Sequence, residues 1–212
     1  GQALEAFREA ADLAELVEDG ASLARAAIGA SRRYVVQPGV VETDLVRMID
    51  RALEVTAGER SLTRVRLLAR QCGAIYYSAE RQRMQALSRE ASEIAEELDD
   101  PEARTYAAAA RRRAVWDPRH LDERLAASTD MLTHAQAAGD AELVLQAHAW
   151  LMVDLLEAGD RRGVDAQIGA FSAGAERLRQ PLYAWQSLIW GSMLALLDGS
   201  LEQAAQVADD AL

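Results

Sequence analysis

The chain has 212 residues, half of them hydrophobic but only 5% aromatic, and it carries 23 basic against 34 acidic side chains for a net charge of −11. Such a surface repels phosphate backbones and anionic lipid, which argues against nucleic-acid or membrane binding by this chain. There is no lysine at all, so a phosphate-loop lysine, a Schiff-base lysine and a Ser–Lys dyad are excluded together.

In chain order, residues 2–19 predict a helix with Ala3, Phe7, Ala10, Ala14 and Val17 along one face. Asp19-Gly20 ends it. Two further helices, over 23–33 and 42–56, flank the least regular stretch, 35–40, where Pro38 and β-branched residues oppose helix. Ser61 is a candidate N-cap for a helix running through Leu67, Leu68, Ile75 and Tyr76, and the next helix carries Met84, Leu87, Ala91, Ile94 and Leu98. Asp100-Pro101-Glu102 then sets a cap, a proline at the first helical position and an acid in the first turn. Asp117-Pro118 repeats that grammar before a helix with Leu121, Leu125, Ser128, Leu132 and Ala135 on one face. Residues 141–180 read as two helices joined at Gly159-Asp160, the second striped by Val164, Ile168, Phe171, Ala175 and Leu178. The run 182–197 has no charge, yet it is too short, and too interrupted by Gln186, Ser187 and Ser192, to span a membrane. Ser200 and Gln203 predict a capping box for the last helix.

The breaks recur at a fixed step. Unit boundaries fall at 19–20, 58–60, 99–101, 139–140 and 179–181, with mid-unit breaks at 38–39, 78–80, 118–120, 159–160 and 199–200. A forty-residue period marks a repeat array in which each unit packs on its neighbours. The expected fold is an all-α right-handed solenoid of about eleven helices in one domain, 1–212. Residues 1–20 supply the second helix of a preceding repeat, 21–60, 61–100, 101–140 and 141–180 are full repeats, and 181–212 are a truncated one. Because the chain opens Gly1-Gln2-Ala3 and stops within a helical pattern, it reads as a segment of a longer protein, with an open repeat end through which self-association into a homodimer is expected.

Chemistry-bearing residues are sparse. His120, His134 and His148 stand fourteen apart, which is no ligand spacing, and Cys72 has neither a second cysteine for a disulfide nor an identifiable base. No catalytic residue, metal site or cofactor is expected. Arg111-Arg112-Arg113 is the one basic cluster, and successive helical side chains point about 100° apart, so the three cannot share a groove.

Two signals carry a resemblance. Ala3, Phe7 and Ala10 keep the second-helix spacing of the tetratricopeptide (TPR) motif, and Ala204, Ala208 and Ala211 keep it with alanine for the aromatic, while no unit holds the full first-helix string. The phrases ARTYAAAARRRAVWDPRHLDERLAAS, AGDAELVLQAHAWLMVDLLEAGD and AERLRQPLYAWQSLIWGSMLALLDGSLEQA are similar to the helical-repeat region of large actinobacterial signalling ATPases, including LuxR-type transcriptional regulators. That resemblance implies a cytoplasmic, TPR-like sensor and interaction arm placed between an ATPase module and an output domain. The expected partners are a protein or peptide, other domains of the parent chain, or an anionic small-molecule effector, with no nucleic acid or membrane bound by this segment. A purely structural spacer is the alternative.

In TPR register the first helices line the concave face. The candidate binding residues there are Arg66 and Tyr76, then Tyr106, Arg113 and Trp116, then Gln146 and Gln186, with the aromatic and cationic ones expected to clamp a peptide or an anion.

Overall fold

The structure is a computed structural model and describes residues 2–31 and 39–211. The described residues form eleven α-helices and no strand. They are α1 Gln2–Leu16, α2 Gly20–Ala30, α3 Thr43–Val55, α4 Leu62–Ala74, α5 Arg81–Leu98 and α6 Pro101–Ala114. After a 3-10 turn at Pro118–His120 come α7 Leu121–Ala138, α8 Ala141–Glu157, α9 Arg161–Leu178, α10 Pro181–Leu197 and α11 Leu201–Asp210. The expected break at Pro38 lies outside the described residues.

Local chemistry sets the helix starts. Ser61 accepts the amide of Arg64 at 3.2 Å, Asp100 that of Ala103 at 2.8 Å, Asp140 those of Glu142 and Leu143 at 3.0 and 3.1 Å, and Asp160 that of Gly163 at 3.0 Å. Ser200 departs from this pattern: it stands at the N-cap of α11 without a side-chain hydrogen bond, so the capping box does not form. Helix ends are as regular. Left-handed residues fall at Glu18, Gly58, Asp99, Gly139 and Arg179, forty or forty-one apart, where the chain reverses out of a second helix. The second helices α5, α7, α9 and α11 begin at 81, 121, 161 and 201.

The chain divides into two compact units, Gly1–Ala138 and Gly139–Leu212. In the first, each helix packs on the next, and α4 also lies on α6. Its N-terminal core joins Ala11 and Ala14 to Leu23, Ala27, Ile49 and Ala52. Gly29 lets the Phe7 ring lie directly on α2, where an added Cβ would run into the ring. The buried face of α1 therefore runs through Phe7, Ala11 and Ala14, whereas Ala10 and Val17 are exposed. In α7 the buried stripe is Arg124, Ala127, Ser128, Met131 and Ala135, with Leu121, Leu125 and Leu132 half-buried beside it.

In the second unit α8 packs on α9 and α10 on α11. Val164, Ile168, Phe171 and Ala175 are buried along α9, and Phe171 meets Trp190 and Tyr183 edge to face at 4.5 and 6.2 Å. Of the seventeen residues of α10 only Tyr183, Trp190 and Ala195 are buried. No described helix is long and apolar enough to cross a membrane.

Ion pairs join neighbouring repeats at a recurring sequence distance. Arg51 pairs with Glu15, Arg60 with Glu97, Arg66 with Glu102 at 2.5 Å and Arg161 with Asp198 at 2.5 Å, each spanning 36 or 37 residues.

Candidate functional site

The first unit gathers its aromatic and arginine side chains where α4 and α6 end. Tyr76 follows α4 and Trp116 follows α6, one repeat apart, and their rings meet edge to face with centroids 5.7 Å apart. The Arg112 and Arg124 guanidinium carbons stand 5.0 and 4.6 Å from the Trp116 ring, and Arg112 Nε donates to Ser128 Oγ at 3.1 Å. Arg113 donates from Nη1 to its own helix at the Ala109 carbonyl, 3.2 Å away, and its guanidinium passes over Gly73. Two turns earlier on the same face of α6, Tyr106 lies under Arg66 and Arg70, at 5.9 and 5.5 Å.

Of the expected site residues, then, Tyr76, Arg113 and Trp116 share one neighbourhood, with Arg66 and Tyr106 beside it. Gln146, buried on α8, and Gln186, half-buried on α10, belong to the second unit. The expectation of an open groove meets a different packing. Tyr106 is 3% exposed and Tyr76 and Arg113 are each 7% exposed, because the aromatic rings fill the seams between successive first helices.

Burial also decides the electrostatics. It pushes the Cys72 thiol and the Tyr76 phenol up to about 12, and it pulls Arg113 down to about 10. Each shift favours the neutral form. A thiol held protonated, with its Sγ pointing at the Met84 carbonyl 3.7 Å away, is no nucleophile. His148 Nδ1 donates to Gln167 Oε1 at 2.7 Å and His120 is paired with Glu123 at 3.0 Å. Among the described residues no three His, Cys, Asp or Glu side chains stand together as a metal site.

Two solvent-accessible concavities of the first unit lie elsewhere, in grooves of the same build. One, of about 500 Å³, has α3 and α5 as walls and Arg64 and Leu68 of α4 as floor. The other, of about 300 Å³, has α5 and α7 as walls and Arg104, Ala107, Ala108 and Arg111 of α6 as floor. Arg64 and Arg104 are forty residues apart, and so are the wall acids Glu90 and Asp130. The floor arginines are engaged. Arg64 Nη1 donates to the Leu53 and Thr56 carbonyls at the end of α3, both at 2.9 Å, and its Nε donates to Glu90 at 2.6 Å. Arg104 pairs with Asp99 at 2.6 Å and Arg111 with Asp130 at 2.6 Å. The sequence signal for these grooves was the recurrence of an arginine and an acid at the forty-residue step, which hydrophobic patterning passes over.

No family model matches the chain, and comparison with curated proteins gives no match.

Proposed function

We propose that the chain is a non-enzymatic, TPR-like interaction and sensor arm of a multidomain transcriptional regulator or signalling ATPase of the cytoplasm, working without a cofactor. The observation that carries this reading is the recurrence of one groove design at successive repeats, a first helix as floor between two second helices, which suits capture of a protein segment. The resemblance of three long phrases to the repeat region of such regulators supports it.

A specific observation favours a second reading, a spacer that couples neighbouring domains with no ligand of its own. Tyr76, Tyr106 and Arg113 are packed into the first unit and so serve its cohesion. The two separate in a thermal-shift screen of the 212-residue chain against peptides and anionic metabolites, followed by pull-down. A specific binder that survives competition supports the arm, and its complete absence supports the spacer. Self-association belongs to the first reading, since Leu196, Leu197 and Leu201 are 55, 55 and 68% exposed across α10 and α11. A strict monomer by light scattering at high concentration removes that part.

A further inference from the structure

We infer that the groove between α3, α4 and α5 is a docking surface for a basic, leucine-bearing protein segment, with Glu54 at its open edge as the selecting charge. The inference rests on the interaction-arm reading and names its surface and the chemistry of its partner.

Two leucines supply the groove's accessible apolar surface, Leu53 and Leu87, half-buried in opposite walls above the fully buried Leu68. Three carboxylates, Asp50, Glu54 and Glu90, stand among them against two guanidiniums, Arg64 and Arg83. Both guanidiniums are occupied. Arg64, its side chain 11% exposed, is bound to the end of α3 and to Glu90, and Arg83 is bound to Asp50 and, at 2.9 Å, to Glu80. From below, Gln71, fully buried, donates from Nε2 to Asp50 Oδ1 at 2.7 Å and fixes that carboxylate in the wall. Glu54 alone of the three is exposed and makes no hydrogen bond or ion pair with the described residues. The groove thus offers leucine surface and unneutralised negative charge. Asp50 reports the same field, its carboxyl being held up by burial and by the neighbouring Glu80 and Glu54 against the pull of Arg83.

A volume of about 500 Å³ accepts one or two side chains of a partner rather than a whole helix. The fitting pair is a leucine or methionine laid between Leu53 and Leu87, with an arginine or lysine one turn away reaching Glu54. An acidic segment meets the unpaired Glu54 at close range and is rejected.

The test uses the 212-residue chain and two fluorescein-labelled peptides of about 15 residues with leucine at every third or fourth position, one filled with arginine and the other with glutamate. The arginine peptide is expected to bind in fluorescence polarisation and the glutamate peptide is not. Because the whole chain is acidic, the deciding comparison is between Glu54→Arg and Glu202→Arg, which change net charge equally at two exposed sites, the second on α11. Glu54→Arg is expected to weaken binding about tenfold and Glu202→Arg less than about twofold. Equal losses reduce the effect to non-specific attraction and overturn the assignment, as does a leucine-free oligoarginine that binds as tightly. If neither peptide binds while the wider screen finds another ligand, the groove assignment fails and the interaction-arm reading stands. If no ligand of any kind binds, both fail.

Discussion

Arg179 is a long, charged side chain at a backbone position that suits glycine, and replacing it should stabilise the second unit. It follows α9 with φ 51° and ψ 33°, in the left-handed region, and its amide closes the helix on the Ala175 carbonyl at 3.0 Å. At the equivalent reversals Gly58 and Gly139 have φ 78° and 69°. A residue with a Cβ pays roughly 1–2 kcal/mol there, whereas glycine brings about 0.5–1 kcal/mol of extra chain entropy to the unfolded state. Arg179→Gly should therefore gain about 0.5–1 kcal/mol, or roughly 1–4 °C in Tm for a chain of this size. Asp99→Gly should gain less, because aspartate tolerates this conformation better and because Asp99 loses its exposed pairing with Arg104, worth about 0–1 kcal/mol. The reciprocal change calibrates the scale. No atom lies within 4 Å of a Cβ built on Gly139, so Gly139→Ala tests backbone conformation alone and should cost about 1 kcal/mol. Urea unfolding followed by circular dichroism reads all three. A destabilised Arg179→Gly alongside a neutral Gly139→Ala would refute both the left-handed geometry and its recurrence at the unit boundaries.

Core substitutions should separate buried from half-buried stripe positions: Ile168→Ala, at 7% exposure, costs about 2–5 kcal/mol, and Leu132→Ala, half-buried, costs less than that in the same urea titration. Cys72 should resist a thiol-specific disulfide reagent at pH 8 in the folded chain and react fully once urea unfolds it; rapid modification under native conditions contradicts its burial. Stability should also fall in alkali. The folded state keeps the Cys72 thiol and Tyr76 phenol protonated up to about pH 12, while the unfolded chain releases those protons from about pH 9 and pH 10, so the stability they contribute is complete below pH 9 and lost as pH rises towards 12. Tyr76→Phe should flatten the upper part of that loss, and an unchanged alkaline profile counts against the phenol.

Helix ends were readable because caps are local. Ser61, Asp100, Asp140 and Asp160 each reach an amide two or three residues on, a bond that needs no partner from elsewhere in the chain. Faces were readable where side chains differ in size, as along Val164, Ile168, Phe171 and Ala175. They were not readable where alanine dominates: α1 turned by one position because alanine fits a core or a surface equally, and α6 buries its alanines from Ala107 to Ala110 without periodicity. The aromatic and arginine residues of the candidate site can be named from the sequence, but their burial depends on side chains one repeat away. Arg66 and Arg70 over Tyr106, or Tyr76 against Trp116, are contacts of residues 36 to 40 positions apart that no local pattern reports.

Arg64 ties three helices with one side chain, since it belongs to α4, holds the last carbonyls of α3 and binds Glu90 of α5. The end of α3 therefore cannot fray while α4 stays folded, and opening α4 strips partners from both neighbours at once. Backbone amides of the three helices should exchange with deuterium as one cooperative block that crosses the repeat boundary at Gly58, so the smallest unit able to open alone is larger than a single helical hairpin.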